Sequence, residues 1–487
     1  MFPEHAEISE KSGFCHVSLV QFVSVVANSV YVPLTSCALV RLALLQMSPC
    51  TFTRQRKQQG NSMNITIKAT ALLAIVCCSG VANVSTVLAG EERTIPPRAT
   101  PDEAQIMHWR MPEIEKRFMD IPELDSPYIS TSPIVLDDGI AVGQFSHKTT
   151  HASTDEGDKA IEETPIITLA KELAAGDHGK YDSLLIAKSG TLVFESYYKR
   201  GRVDLPHPQS SATKSYTSLA LGRAIQMGYL SMDDLDKPVI SFFNDIDSTK
   251  LVKGAETITL HHALTMTTGI DISEEGWDAI ATNLKRVNGQ GEIQAILEDS
   301  APVTEQTQVF KYGTGPQFVM QVIEAVVPGS AEEFIRTELF GKLGITNYDW
   351  RLAPSGLPES GWKVSVTARD MLKVGLLIDN YSKWKGEQLI PKAYLQRATS
   401  RQILTGDDDI YGGGELVSNQ GYGYFFWGTD LALKGKKHHA FSAQGGGGMY
   451  ILLVKDFDLV VVVTAHERED VTQQLIAERI LPLLSKR

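Results

Sequence analysis

Strand signals stand at both ends of a long helical stretch, and that order restricts the chain to few folds. Near one end, residues 183–188 and 191–198 are apolar runs flanking Ser189-Gly190, a pair suited to a two-residue hairpin turn. Near the other, residues 422–427, 448–454 and 459–464 read as strands, with a helix over 471–484 behind them. Between these ends, apolar residues at three- and four-residue spacing predict helices at 259–266, 292–297, 317–327, 331–343 and 368–378. The pattern implies an α/β chain of the α+β kind. One antiparallel sheet would be flanked by helices and closed by both chain ends, with a mostly helical lobe inserted. A functional site is expected between the lobes.

One serine stands out against this frame. Ser211-Ala212-Thr213-Lys214 opens an apolar helical run that continues to Gly228. Residues three apart on a helix share a face, so the Ser211 hydroxyl and the Lys214 amine can meet without help from a distant loop. A hydroxyl at a helix N-terminus also faces unpaired N–H groups and the positive end of the dipole, which favour a developing anion. The same Ser-x-x-Lys spacing occurs at Ser196/Lys199, Ser360/Lys363 and Ser382/Lys385. Ser196 sits in a predicted strand, where positions three apart point to opposite faces. Ser360 and Ser382 lie in Gly-rich or polar segments with no buried helix behind them. The competing reading of Ser211 is a helix cap.

Two further elements bear on the same chemistry. Lys311-Tyr312-Gly313-Thr314-Gly315-Pro316 forms a glycine-flanked turn before a helix and can present Tyr312 to a cleft. A phenol beside a buried ammonium is expected to have a lowered pKa and to relay the Ser211 proton. Glycines 445–448, leading into an apolar strand, permit close backbone approach. An N–H there could join that of Ser211 in binding an oxyanion.

These segments arrive in a familiar order: Ser211-Ala-Thr-Lys, Leu260-His-His-Ala-Leu-Thr-Met-Thr-Thr-Gly269, Phe310-Lys-Tyr-Gly-Thr-Gly315, Leu339-Phe-Gly-Lys-Leu-Gly-Ile345, Val366-Thr-Ala-Arg-Asp370, and Ala443-Gln-Gly-Gly446. The ordered set, over roughly residues 165–485, resembles the beta-lactamase-related serine hydrolases. The branch it looks most similar to holds class C beta-lactamases, family VIII esterases and 6-aminohexanoate-dimer hydrolases. The resemblance implies a beta-lactamase/DD-peptidase-like fold and an acyl-enzyme on Ser211. Lys214 would activate the serine and Tyr312 would shuttle the proton. The backbone N–H groups of Ser211 and Gly446 would hold the oxyanion, supported by Thr314 and Gly445. Two positions depart from the pattern: Thr314 stands where beta-lactamases carry Asn, and Ala443-Gln-Gly where they carry Lys-Thr-Gly. Without that cation the site lacks a partner for a beta-lactam carboxylate.

The expected activity is therefore hydrolysis of a small-molecule ester or amide. A D-Ala-D-Ala peptidase, a beta-lactamase and a non-catalytic sensor of cell-wall peptides stand as alternatives. No cofactor is expected, and no metal: His261-His262 and His438-His439 lack HExxH spacing and a third ligand. A Ser-His-Asp hydrolase is disfavoured because no G-x-S-x-G elbow occurs. Nucleic acid is excluded as a partner by a net charge of −12 and the lack of a basic stripe. Oligomeric state is not legible.

Residues 63–89 have the parts of a secretory signal: Lys68, an apolar run over 69–78, and Val87-Leu-Ala89. Residues 1–62 read as an upstream extension foreign to the native product, residues 90–163 as an extended arm, and residues 164–487 as the hydrolase domain. All five cysteines, at 15, 37, 50, 77 and 78, precede Ala89. The processed protein would be periplasmic or secreted, with no stable membrane association. An anchored form spanning a bilayer through residues 17–40 is the alternative. N-terminal sequencing of the protein from its native host should find Gly90 or a close neighbour first; a start at Met1 would support the anchored form instead.

Overall fold

The computed structural model describes residues 95–104, 118–145 and 165–484. The proposed signal, the upstream extension and all the cysteines lie outside them. The backbone of the fold is a nine-stranded sheet. Its strands are β1 (Tyr128–Ser130), β2 (Tyr181–Lys188), β3 (Thr191–Tyr197), β4 (Ile403–Leu404), β5 (Val417–Tyr422), β6 (Trp427–Leu433), β7 (Lys436–Gly445), β8 (Met449–Val454) and β9 (Leu459–Ala465). They run in the order β1-β3-β2-β9-β8-β7-β6-β5-β4, every neighbouring pair antiparallel.

The hairpin β2–β3 turns at Ser189 and Gly190, both with positive φ, as a two-residue turn matched to strand twist requires. Its first strand pairs with β9, so the early hairpin and the late strands join at the centre of the sheet. Successive residues of these strands face opposite cores. Leu184, Ile186, Val461 and Val463 pack with helix α1 (Pro165–Ala175) and the C-terminal helical residues Ile476, Ile480 and Leu481. Leu185, Ala187, Val460 and Val462 face the other way, with the inserted helices. These include α2 (Thr213–Gln226), α3 (Gly315–Val326) and α4 (Ala368–Asp379). Among the described residues no helix is long and apolar enough to cross a membrane.

The sequence reading differs from the structure in several places. Residues 422–427, expected to form one strand, instead make the turn between β5 and β6. Gly423 is pressed against the Ala398 carbonyl and Phe425 takes a φ of 61°, so the aromatic run is buried without being extended. The arm contributes β1, which pairs with β3 and carries too few residues to show a period. The strands β6 and β7 and the helix Glu274–Thr282 also went unread.

Arg369 on α4 locks the arm, the hairpin and the helix layer together. Its guanidinium grips both oxygens of Glu195 on β3 at 2.7 Å, reaches Asp138 at 2.9 Å and donates to the Ile134 carbonyl at 3.1 Å. Tyr197 donates to Glu195 at 2.8 Å, so the fully buried carboxylate is well satisfied. Removing one partner of such a pair strands a buried charge. Glu195→Ala is expected to lower unfolding free energy by about 3–5 kcal/mol in urea titrations; a loss within the ~1 kcal/mol of an exposed ion pair would refute the role.

Candidate active site

The approach to Ser211 is fixed before the helix begins. His207–Pro208 pairs with the strand Val364–Val366, and the Gln209 N–H donates to the Val364 carbonyl at 2.8 Å. The buried Gln209 side chain accepts from the Tyr216 hydroxyl at 3.1 Å and donates to the His207 carbonyl at 2.8 Å. Ser210 then takes a φ of 47°, a strained value for a residue with a side chain. Ser211 follows in a single 3₁₀ turn, Ser210–Ala212, that runs into α2.

Ala212, not Ser211, occupies the cap position of α2, and no side chain caps it. The Ser211 Oγ instead lies 3.0 Å from the Lys214 Nζ. That amine is buried and donates to the Gly361 carbonyl at 2.8 Å. The loop around Gly361 is shaped by Glu359, whose carboxylate accepts the N–H groups of Gly361 at 3.1 Å and Trp362 at 2.8 Å. Burial pulls the Lys214 ammonium from 10.5 down to about 8, against the opposing charge of Glu359. In the neutral amine one N–H serves Gly361 while the lone pair is free to accept the Ser211 proton.

Tyr312 lies across from this pair. Its ring centroid is 4.7 Å from the Lys214 Nζ, and the ring stacks on Trp427 with centroids 5.7 Å apart. One side of the residue is open, at 41% exposure, while the hydroxyl end turns inward to Ser211 and Tyr422. The expectation of a lowered phenol pKa is overturned. Burial pushes Tyr312 up to about 12, past the lowering effect of hydrogen bonds with Ser211 and Tyr422. The ammonium that was to stabilise a phenolate has its own charge suppressed by the same burial.

β7 ends against the loop that leads into Ser211. A Cβ on Gly445 would stand 2.1 Å from the Gln209 carbonyl, so only glycine allows the strand this close. Gly446 follows directly. The flanking turns use other donors: Ala212 N–H bonds Gln209, Thr213 N–H bonds Ser210, and Gly448 N–H bonds Gly445. Thr314 caps the start of α3, its Oγ1 3.5 Å from that of Thr268. Beyond it lies a cavity of about 300 Å³ lined by Thr268, Ile270, Trp277, Tyr312 and Thr314.

Ala443 is buried in β7 and supplies no charge. Neither Lys311 nor Lys436 replaces it: Lys311 is paired with Asp271 at 2.7 Å, and Lys436 lies at the opposite end of β7, about 23 Å away at the rise of a strand. Of the other Ser-x-x-Lys serines, Ser196 on β3 donates its hydroxyl to the Leu184 carbonyl of β2, Ser360 gives its backbone carbonyl to Thr217, and the buried Ser382 hydroxyl has no hydrogen-bond partner. His261 meets the Tyr424 hydroxyl at 2.9 Å, His262 caps its own helix, and His438 pairs with Asp456 at 2.8 Å. Sequence reasoning missed Gly361, which lies 147 positions from Lys214, and Trp427, the platform under Tyr312.

Residues 170–483 match the family model described as Beta-lactamase. A lovastatin esterase of Penicillium rubens is 30% identical over 155 residues, 28% of this chain and 38% of the relative. A monacolin J acid methylbutanoyltransferase of Aspergillus terreus is 25% identical over 167 residues, 31% of this chain and 39% of the relative. The chain thus matches about two-fifths of the length of these curated relatives. Among solved structures, a beta-lactamase candidate from Bacteroides dorei superposes with a TM-score of 0.52 at 15% identity, covering 66% of this chain and 99% of that one.

The lowered Lys214 pKa fixes a pH dependence for Ser211. The amine accepts a proton only when neutral, so the reactivity of Ser211 towards a fluorophosphonate should rise with pH through a midpoint near 8. Lys214→Ala should remove that limb and slow labelling by ~10² or more. A flat profile in the wild type would exclude the amine as base.

Proposed function

This chain belongs to the beta-lactamase family, and from that membership we propose that it is a serine hydrolase cleaving small esters through an acyl-enzyme on Ser211. The observation that carries the reading is the short contact between the Ser211 Oγ and a buried Lys214 amine already satisfied by Gly361. As Oγ attacks the substrate carbonyl, neutral Lys214 takes its proton. The new oxyanion accepts the N–H groups of Ser211 and Gly446. Tyr312, protonated at neutral pH, hands its phenolic proton to the departing alkoxide and is reprotonated by the Lys214 ammonium. Water then attacks the acyl-enzyme, losing its proton to Lys214, and the acid leaves as Oγ regains a proton.

Esters are favoured over beta-lactams because the buried Ala443 leaves no cation at the strand for a substrate carboxylate. The activities of the two fungal relatives, an esterase and an acyltransferase, support acyl transfer. The cavity beside Tyr312, where Ile270, Ile272 and Trp277 stand opposite Thr268, Lys311 and Gln317, has room for a small acyl or alkyl group.

Intact-mass spectrometry with short p-nitrophenyl esters should trap an acyl adduct on Ser211, and Ser211→Ala should neither form it nor turn over. Nitrocefin should be hydrolysed far more slowly than the esters. Label on another serine would remove the mechanism; nitrocefin turnover equal to ester turnover would remove the specificity.

A further inference from the structure

Behind the nucleophile loop, three side chains from distant segments converge. Asp182 stands near the start of β2, His207 precedes Ser211 by one short segment, and His466 follows β9. One ligand atom from each lies within 4.8 Å of the others. The Asp182 Oδ2 is 3.1 Å from the His207 Nε2 and 2.6 Å from the His466 Nδ1. Asp182 and His207 are buried, and His466 is 22% exposed at its side chain. Sequence reasoning weighed only the adjacent histidine pairs and so expected no metal.

The hydrogen-bond inventory leaves this cluster one positive charge short. The His207 Nδ1 lies 3.1 Å from the Pro208 carbonyl, which can only accept. Nδ1 therefore carries the proton, and in a neutral imidazole Nε2 then turns a lone pair on the Asp182 carboxylate. Two acceptors in contact repel unless a proton or a cation stands between them. An imidazole oriented by a backbone carbonyl is also how metal-bound histidines are held. The carboxylate is oriented in the same way, its Oδ1 accepting the Arg200 N–H at 3.0 Å.

We propose that Asp182, His207 and His466 form a binding site for a divalent transition metal, Zn²⁺ by donor type. Two imidazoles and a carboxylate suit Zn²⁺ with a fourth position left to solvent. A tetrahedral ion places its ligand atoms roughly 3.3 Å apart. The contact at 3.1 Å is near that spacing, and the one at 2.6 Å opens by less than ~1 Å through the partly exposed His466. The Phe118 ring covers both histidines, at centroid distances of 4.6 and 5.0 Å. A cavity of about 590 Å³, reaching Ser210 and Gly446, adjoins His207 and His466 and has room for the solvent ligand.

The ion would act as a clasp. His207 leads into the nucleophile loop. The residue after His466 donates its N–H to the Gly447 carbonyl at 2.9 Å, next to Gly446. Binding of metal does not depend on the reaction proposed above.

The test uses the full chain, free of any polyhistidine tag and stripped with a chelator, titrated with Zn²⁺ and in parallel with Co²⁺. Wild type should bind one more equivalent of Zn²⁺ than His466→Gln. It should also show a visible Co²⁺ ligand-field band that the variant lacks, and a melting temperature that climbs with free Zn²⁺. Asp182→Asn, checked for native circular dichroism, should lose the same equivalent. The comparison with His466→Gln cancels any contribution from the N-terminal cysteines. Equal Zn²⁺ binding by wild type and His466→Gln, with no Co²⁺ band, would overturn the site and leave a proton between His207 and Asp182 instead.

Discussion

The site depends on one close approach of backbone to backbone, where the end of β7 passes the Gln209 carbonyl at a distance that only Gly445 permits. That contact brings the end of β7, with Gly446 next in the chain, against the segment that leads into Ser211. The buried Gln209 side chain transmits the position to α2 through Tyr216. Everything downstream is a matter of charge. With the loop packed this tightly, Lys214 loses its water, and an amine without water becomes a base near neutral pH. The same desolvation keeps Tyr312 protonated, so in the mechanism proposed above burial alone would divide the roles of base and acid between two groups that would both be protonated in water.

Much of this was legible in the sequence because it is local. The three-residue spacing of Ser211 and Lys214 is a helix property, and the hairpin announced itself through Ser189-Gly190. The order of the strand signals was enough for the sheet's closure by both chain ends. Ser196 was separable from Ser211 by strand alternation, and in the fold its hydroxyl is spent on Leu184.

What escaped is long-range or contextual. The Tyr422–Trp427 run looked like a strand because it is rich in aromatic residues, yet Tyr424, Phe425 and Phe426 are buried by packing around a turn. The Gly361 carbonyl has no side-chain signature at all. The electrostatic error over Tyr312 arose from treating Lys214 as a fixed cation, when its own ionisation depends on the same dry surroundings. His207 and His466 carry no spacing motif: the pairing of β2 with β9 brings Asp182 to His466 only after the sheet has formed, and His207 arrives from a separate strand paired with Val366.

The pairing of β2 with β9 has a consequence for biogenesis. Ser183 and Thr464 touch at 2.7 Å across 281 positions of chain, so the central seam of the sheet closes one of the largest loops available to this sequence. Such closure is slow, and it cannot begin on the ribosome until nearly all of the polypeptide has emerged. Gly445 and Gly446 belong to that late-arriving half. A nascent chain holding only Ser211, Lys214 and Tyr312 therefore has helix α2 but no second strand wall to shape the pocket. On the proposed mechanism, the site gains its full set of groups only once β7 and β9 have joined the sheet.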